Sequence, residues 1–164
     1  MFWTSYEIEN DKDFAKAVNK ALEVVDDLQF AFGEIARDFY QSNKATFSNK
    51  QGQYPALSQR YQAAKDRRYG RQPILVASGR LRDSLTEKPN QDSILSIGKK
   101  SLVMGTKVPY GKYLQLGTKK MPMRKFLFIG PEAGRFGTDR TRGRLERWVG
   151  IIETDVSRRL KKKL

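Results

Sequence analysis

The side chains that could act chemically are carboxylates and bases, because the 164-residue chain contains neither Cys nor His. Thiol nucleophiles, disulfides and cysteine zinc sites are excluded, as are imidazole bases, histidine metal ligands and Ser-His-Asp triads. Two carboxylate pairs remain for acid–base or metal work: Asp26-Asp27, and Glu153 with Asp155. Both fall where the apolar spacing is helical. Adjacent helical residues point about 100° apart, and residues two apart do not face each other, so neither pair converges. A solvated helix face accounts for both. The run from Gly105 to Tyr113 superficially resembles a phosphate loop. It has five residues between its glycines rather than four, Tyr113 where a metal-binding hydroxyl belongs, and Pro109 in place of a cradle N–H. Nucleotide binding is rejected on those grounds. The sequence is that of a non-enzyme, with no cofactor, metal ion or small-molecule substrate expected.

Bases carry the strongest signal. There are 32 Lys and Arg against 18 Asp and Glu, a net charge of +14. Residues 44–71 hold seven bases, Arg67 and Arg68 among them, and one acid, Asp66. Lys112, Lys119, Lys120, Arg124 and Lys125 fall within fourteen residues that contain no acid. Arg140, Arg142 and Arg144 lie in a glycine-bearing stretch, and Arg158, Arg159, Lys161, Lys162 and Lys163 close the chain. Such clusters hold phosphates without reading bases. No helix-turn-helix or zinc finger is recognisable, so base-specific readout is not expected. The plain alternative for the last cluster is that bases favour a helix C-terminus through its dipole. Charge is also segregated. Residues 1–42 carry nine acids and four bases, and the remainder carries 28 bases and nine acids. An acidic first element beside a basic body can meet a polyanion or copies of itself; an unevenly charged soluble surface is the bland reading.

The length fits one domain, residues 1–164, with a sizeable core. The longest uncharged run, Gln51–Gln59, is nine residues, and a membrane span needs about 20 apolar ones. Met1–Asp11 shows no signal-peptide pattern, and a chain without Cys fits a reducing cytoplasm. From Asp11 to about Ser42, Phe14, Val18, Ala21, Val25, Leu28, Phe32, Ile35 and Phe39 step by four and three, which predicts one long helix within residues 1–42 with a soft spot at Gly33. The stripe reads either as a coiled-coil seam or as a face lying on the domain's own sheet, and its large Phe residues favour the sheet. Residues 43–72 read as a flexible basic loop holding a short helix, Ser58–Arg68. Residues 73–130 form the sheet core. Its strand candidates are Ser84–Lys88, Ser93–Gly98, Leu102–Thr106 and Arg124–Ile129, with a short helix at Pro109–Leu116. A loop over 131–143 leads to a C-terminal helix and basic tail, 144–164, with a stripe of Leu145, Val149, Ile152, Val156 and Leu160. The fold class is therefore α+β: a small antiparallel sheet of about four strands packed by a long N-terminal helix and a C-terminal helix.

Several segments, in order, carry a family likeness. They are Pro55-Ala56-Leu57-Ser58; Ile74-Leu75-Val76-Ala77-Ser78-Gly79-Arg80-Leu81-Arg82-Asp83-Ser84-Leu85; Ile97-Gly98; Pro109-Tyr110 through Tyr113, Gln115, Leu116 and Gly117; and Met121-Pro122, Arg124 and Phe126-Leu127. Together they resemble the phage virion morphogenesis, or tail-completion, proteins. Lys125 stands where that pattern often has Pro, Phe128 where it often has Gly, and Tyr54 where Trp is common. The signature positions Gly79, Leu81, Ser84, Leu85, Gly117, Pro122, Phe126 and Leu127 read as residues that hold the fold, and Arg124 as one placed to pair with an acid or a carbonyl cluster. The resemblance implies a structural virion protein of a tailed bacteriophage, assembled in the host cytoplasm. It implies a role in tail completion and head–tail joining, as a homo-oligomeric ring in the neck beside other neck or tail proteins. Arg67, Arg68, Lys119, Lys120, Arg124, Arg140, Arg142, Arg158, Arg159, Lys161, Lys162 and Lys163 are its candidate subunit-interface or DNA-facing residues, the DNA contact being non-specific and in the lumen. A tail terminator and a stand-alone non-specific nucleic-acid-binding protein are the alternatives.

Overall fold

The computed structural model describes residues 11–49, 54–87, 90–127 and 143–163. In chain order the elements are α1 (Asp11–Asp26), α2 (Gln29–Asn49), α3 (Gln59–Tyr69), α4 (Arg80–Thr86), β1 (Ser93–Ile97), β2 (Leu102–Thr106), α5 (Gly111–Leu116) and α6 (Arg144–Lys163). The mixed α+β class stands, but the sheet has two strands, not four. β1 and β2 pair antiparallel from Ser93↔Thr106 to Ile97↔Leu102 across the turn at Gly98–Ser101. A lone hairpin is marginal in water. This one is held because α2 and α4 pack against it.

Both missing strands have physical reasons. Ser84–Lys88 is not extended through its first three residues, because Leu81, Ser84 and Leu85 are all buried on one side of α4. Spacings of three and four put them on one helical face, whereas a strand would send Ser84 and Leu85 to opposite faces. Gly79 starts that helix at φ +84, a left-handed conformation that favours glycine. Arg124–Leu127 has no strand partner, yet its backbone is satisfied. Arg124 N donates to Leu114 O (2.8 Å). The Gln115 side chain accepts from Phe126 N and Leu127 N (3.1 Å each) and donates to Leu127 O (2.9 Å). One glutamine thus does what a neighbouring strand would do. The rest of that candidate strand, residues 128 and 129, lies outside the described residues.

The long N-terminal helix is two helices. It breaks at Asp27-Leu28, not at Gly33. The Asp27 carboxylate accepts from Gln29 N (3.0 Å) and so caps α2, while Leu28 N donates to Lys99 O in the hairpin turn (2.9 Å). Arg159 of α6 donates to Asp27 O (2.6 Å), covering a carbonyl at the break. α2 then runs on to Asn49, so helix replaces the first part of the expected 43–72 loop. Later in that stretch α3 forms at Gln59–Tyr69 with Ser58 as its N-cap, close to the expected Ser58–Arg68.

The α2 half of the apolar stripe is buried through Phe32, Ile35 and Phe39, but Val18 and Val25 of α1 are exposed and Val24 is buried instead. α1 packs mainly on α6, touching the hairpin only at its turn through Asp26 and Lys100 among the described residues, and α6 covers α1 and α2. The main core comprises Phe39, Phe47, Leu75, Val76, Leu81, Leu85, Val108 and Phe126. Burying such side chains stabilises by roughly 1.5–3 kcal/mol each. Several polar groups inside it find partners: Ser84 Oγ meets Thr106 Oγ1 (2.8 Å), Ser93 Oγ donates to Ser84 O (2.8 Å), and Asn43 donates to Leu85 O (3.3 Å), while Asn43 Oδ1 is buried without a hydrogen bond among the described residues.

Candidate interaction surfaces

The signature positions lie where packing is densest. Leu81, Ser84, Leu85 and Phe126 are buried, Leu127 is half-buried against the core, and Pro122 is exposed. Gly117 ends α5 at φ +75, and a Cβ there would meet Met123 N at 2.9 Å. Thr118 and Met121 then bridge to close a tight turn that presents Lys119 and Lys120 to solvent.

The basic candidates separate by what they touch. Arg124 is buried and donates to Pro55 O (3.0 Å) and Ala56 O (3.2 Å), the carbonyl cluster its position anticipated; this removes it from the accessible surface. Tyr54 donates to Lys125 O (2.8 Å), and burial pushes its hydroxyl up to about 12. Arg158 and Arg159 both reach the buried Asp155 (2.7 Å each), and Arg158 also lies over the Phe30 ring (4.7 Å). These two arginines are fastened within the chain. Arg144 begins α6, where the 144–164 helix is expected to start, and is buried above Phe39; burial pulls it down to about 10 against the pull of Asp38. Arg67, Arg68, Lys119, Lys120, Lys161 and Lys162 are exposed. Lys163 ends α6, while Arg140 and Arg142 lie outside the described residues with most of the 131–143 loop.

Helix α3 is the feature least legible beforehand. Lys65 is buried, donating to Gln72 O (2.7 Å) and Pro73 O (2.5 Å), and desolvation lowers its pKa. Around that tether, Arg60, Tyr61, Arg67, Arg68 and Tyr69 are exposed. Arg60, Arg67, Arg68 and the following Arg71 form no ion pair among the described residues; Arg68 lies over Tyr69 (5.3 Å). Five acids elsewhere, by contrast, are matched to bases: Asp26 with Lys100, Glu34 with Arg37, Asp38 with Arg147, Asp83 with Arg82, and Asp92 with Arg80. Sequence composition could show the bases of residues 44–71 but not which of them the fold would leave unmatched.

An open groove of about 690 Å³ runs between α2 and α6, with Phe30 and Ile151 beside Asp38, Arg147, Asp155 and Arg158. Its charges are tied to each other, and Trp148 also donates to Asp38 (2.8 Å). Among the described residues no three acids gather as metal ligands, and no helix is long and apolar enough to cross a membrane. What the geometry offers is a small α+β scaffold with solvent-facing apolar and cationic surfaces. Consistent with that class, a model of the phage virion morphogenesis family matches residues 9–146, and the chain belongs to that family. Comparisons with curated proteins and with solved structures return no match. The protein is therefore a phage virion morphogenesis protein, of a family whose role is structural.

Proposed function

We propose that the protein acts in tail completion and head–tail joining, as one subunit of a homo-oligomeric ring in the neck of a tailed phage particle. The observation that carries this reading is the family match, which spans residues 9–146 and so includes α1 through α5 and the start of α6. Its surfaces support a docking role without chemistry: Asp92, Asp38 and Asp155 are tied to arginines of the same copy, Lys65 and Arg124 to backbone carbonyls, and bases without an ion pair among the described residues face outward on α3 and on the turn after α5. A ring of identical copies needs an interface of two different patches that closes on itself. The test is a phage lacking the gene. Unjoined capsids and tails should accumulate, and supplying the protein in trans should restore infectious particles. Joined, infectious particles made without it would end the reading.

A second reading, non-specific contact with nucleic acid, is favoured by one observation: the four arginines on and just after α3 are without acid partners among the described residues. It is compatible with a subunit on the DNA path, and salt-dependent duplex binding tests it.

A further inference from the structure

Helix α3 divides its bases between two faces. At about 100° per residue, Arg60 and Arg67 lie within about 20° of each other, with Ala63 and Ala64 on either side of them, and Lys65 lies roughly 150° round the helix. Burial follows that division: Lys65 is buried, while Arg60, Ala63, Ala64 and Arg67 all face solvent. The helix is fastened at both ends. Ahead of it Arg124 donates to Pro55 O and Ala56 O, at its start Ser58 Oγ accepts from Tyr61 N (3.4 Å), and after it Gln72 O and Pro73 O accept from Lys65. Asp66, the one acid between residues 44 and 71, sits on the flank, where Gln62 donates to it (2.7 Å). The outer face therefore carries positive charge alone, and buried bases hold it in one orientation.

That face fits phosphates better than it fits a protein. A protein interface is centred on aromatic or aliphatic anchors, and on this face only the methyl groups of Ala63 and Ala64 accompany Arg60 and Arg67. With nothing longer standing between them, two arginines about 10 Å apart along the axis can both reach a charged surface that the helix lies against. The exposed bases on α3 and just after it, Arg60, Arg67, Arg68 and Arg71, are all arginine, and the one lysine of the helix is the buried one. A guanidinium offers phosphate oxygens a planar fork of donors, which an ammonium does not. Contacts of this kind position a protein on a duplex and read no bases, so the face needs no particular sequence.

We propose that α3 lies lengthwise against the phosphate backbone of duplex DNA, with the face of Arg60, Ala63, Ala64 and Arg67 turned to the duplex. The inference rests on the nucleic-acid reading and names the face that carries it. It is tested with the full chain and a fluorescently labelled duplex of arbitrary sequence, by anisotropy across a salt series. Arg60→Gln with Arg67→Gln should lower the slope of log K against log salt by about 2. Ala63→Leu with Ala64→Leu leaves every charge in place and keeps good helix formers at exposed positions. It should still weaken binding at low salt roughly tenfold, the worth of one charge-assisted contact, because the added bulk holds the helix off the backbone. Both double variants should keep the circular-dichroism spectrum of the wild type, since all four side chains face water; Ala64→Leu alone is the milder version if the pair disturbs folding. Duplex binding that neither double variant alters would overturn this face and leave nucleic-acid contact to another part of the chain. A loss with the arginine pair but none with the leucine pair would also overturn it, since charge would then act without close approach. A wild type that binds no duplex at low salt would overturn both the face and the nucleic-acid reading, as would one that prefers poly-glutamate to the duplex, which would assign α3 to an acidic protein.

Discussion

Asp92 is held below the ordinary carboxylate range by hydrogen bonds from Arg80, whose guanidinium grips it through Nε (2.5 Å) and Nη2 (2.6 Å). A folded-state pKa depressed in this way contributes stability that is present above the unfolded value and is lost as pH falls through the folded one. Thermal melts of the wild type should therefore lose stability on acidification below the usual carboxylate range, and Asp92→Asn should flatten that part of the acid limb. Identical acid limbs would show that the pair is idle. The bond matters because Asp92 O also receives Lys107 N, so one residue closes both the side-chain and the backbone contacts at that end of the hairpin. Gly117 makes a sharper residue-scale case. Its φ of 75 with ψ of 177 belongs to a region that is essentially glycine-only, and a Cβ would meet the Met123 backbone at 2.9 Å. Gly117→Ala should cost about 1–3 kcal/mol from backbone strain alone, measured by chemical denaturation. A neutral substitution would mean that the chain past α5 is free to move aside.

At the scale of elements, the instructive one is a strand that is not there. Residues 124–127 stand without a sheet partner, and the Gln115 side chain binds two of their N–H groups and one C=O. Gln115→Leu leaves those three backbone groups without partners, at about 1–3 kcal/mol for each that stays buried. The expected result is a fall in denaturation midpoint large against a total stability of roughly 5–15 kcal/mol, with Phe126 and Leu127 amides losing hydrogen-exchange protection first. Unaltered protection there would show that the segment is held by Phe126 packing alone. This is also where sequence reading runs out. The hairpin strands, the short helix near Ser58–Arg68, α5 and the C-terminal helix were legible, because turn residues and apolar spacing are local signals. The absent strands were not. Ser84–Lys88 and Arg124–Ile129 have strand-like composition, and what decides each is a distant partner: the core side of α4 for one, the Gln115 side chain for the other. The break at Asp27-Leu28 was hidden by an unbroken stripe, though an aspartate ahead of Gln29 was a usable capping signal. For the candidate surface, the bases were visible but their fates were not. Arg124 could be read as placed for a carbonyl cluster, but Arg158 and Arg159 read like any other cluster members, and only the fold ties them to Asp155.

Over the whole molecule, the net charge of +14 has to be answered by something outside the chain. Acids close to the fold are matched to bases of the same copy, as Asp38 is to Arg147 and Asp155 to Arg158 and Arg159, so they are poorly placed to neutralise a neighbour's arginines. What is left over is concentrated on α3 and just after it, in Arg60, Arg67, Arg68 and Arg71 with the exposed rings of Tyr61 and Tyr69 beside them. An eleven-residue helix of this kind has little packing to hold it, and short isolated helices are marginal in water. Its one deep anchor is Lys65, gripping the carbonyls of Gln72 and Pro73. A helix projected in this way, cationic and acid-poor, suits a surface of phosphates. The expectation is sequence-independent binding of duplex DNA that weakens steeply with salt, each neutralised phosphate adding about 0.9 to the slope of log K against log salt. Replacing Arg67 and Arg68 together by Gln should lower that slope by about 2, with little change in melting temperature because neither forms an ion pair within the described fold. Lys161→Gln with Lys162→Gln, on the exposed end of α6, is the comparison that separates α3 from a general effect of positive charge. Equal losses from both double variants would assign the binding to net charge rather than to α3, and no measurable binding at low salt would remove nucleic acid from the partners this surface serves.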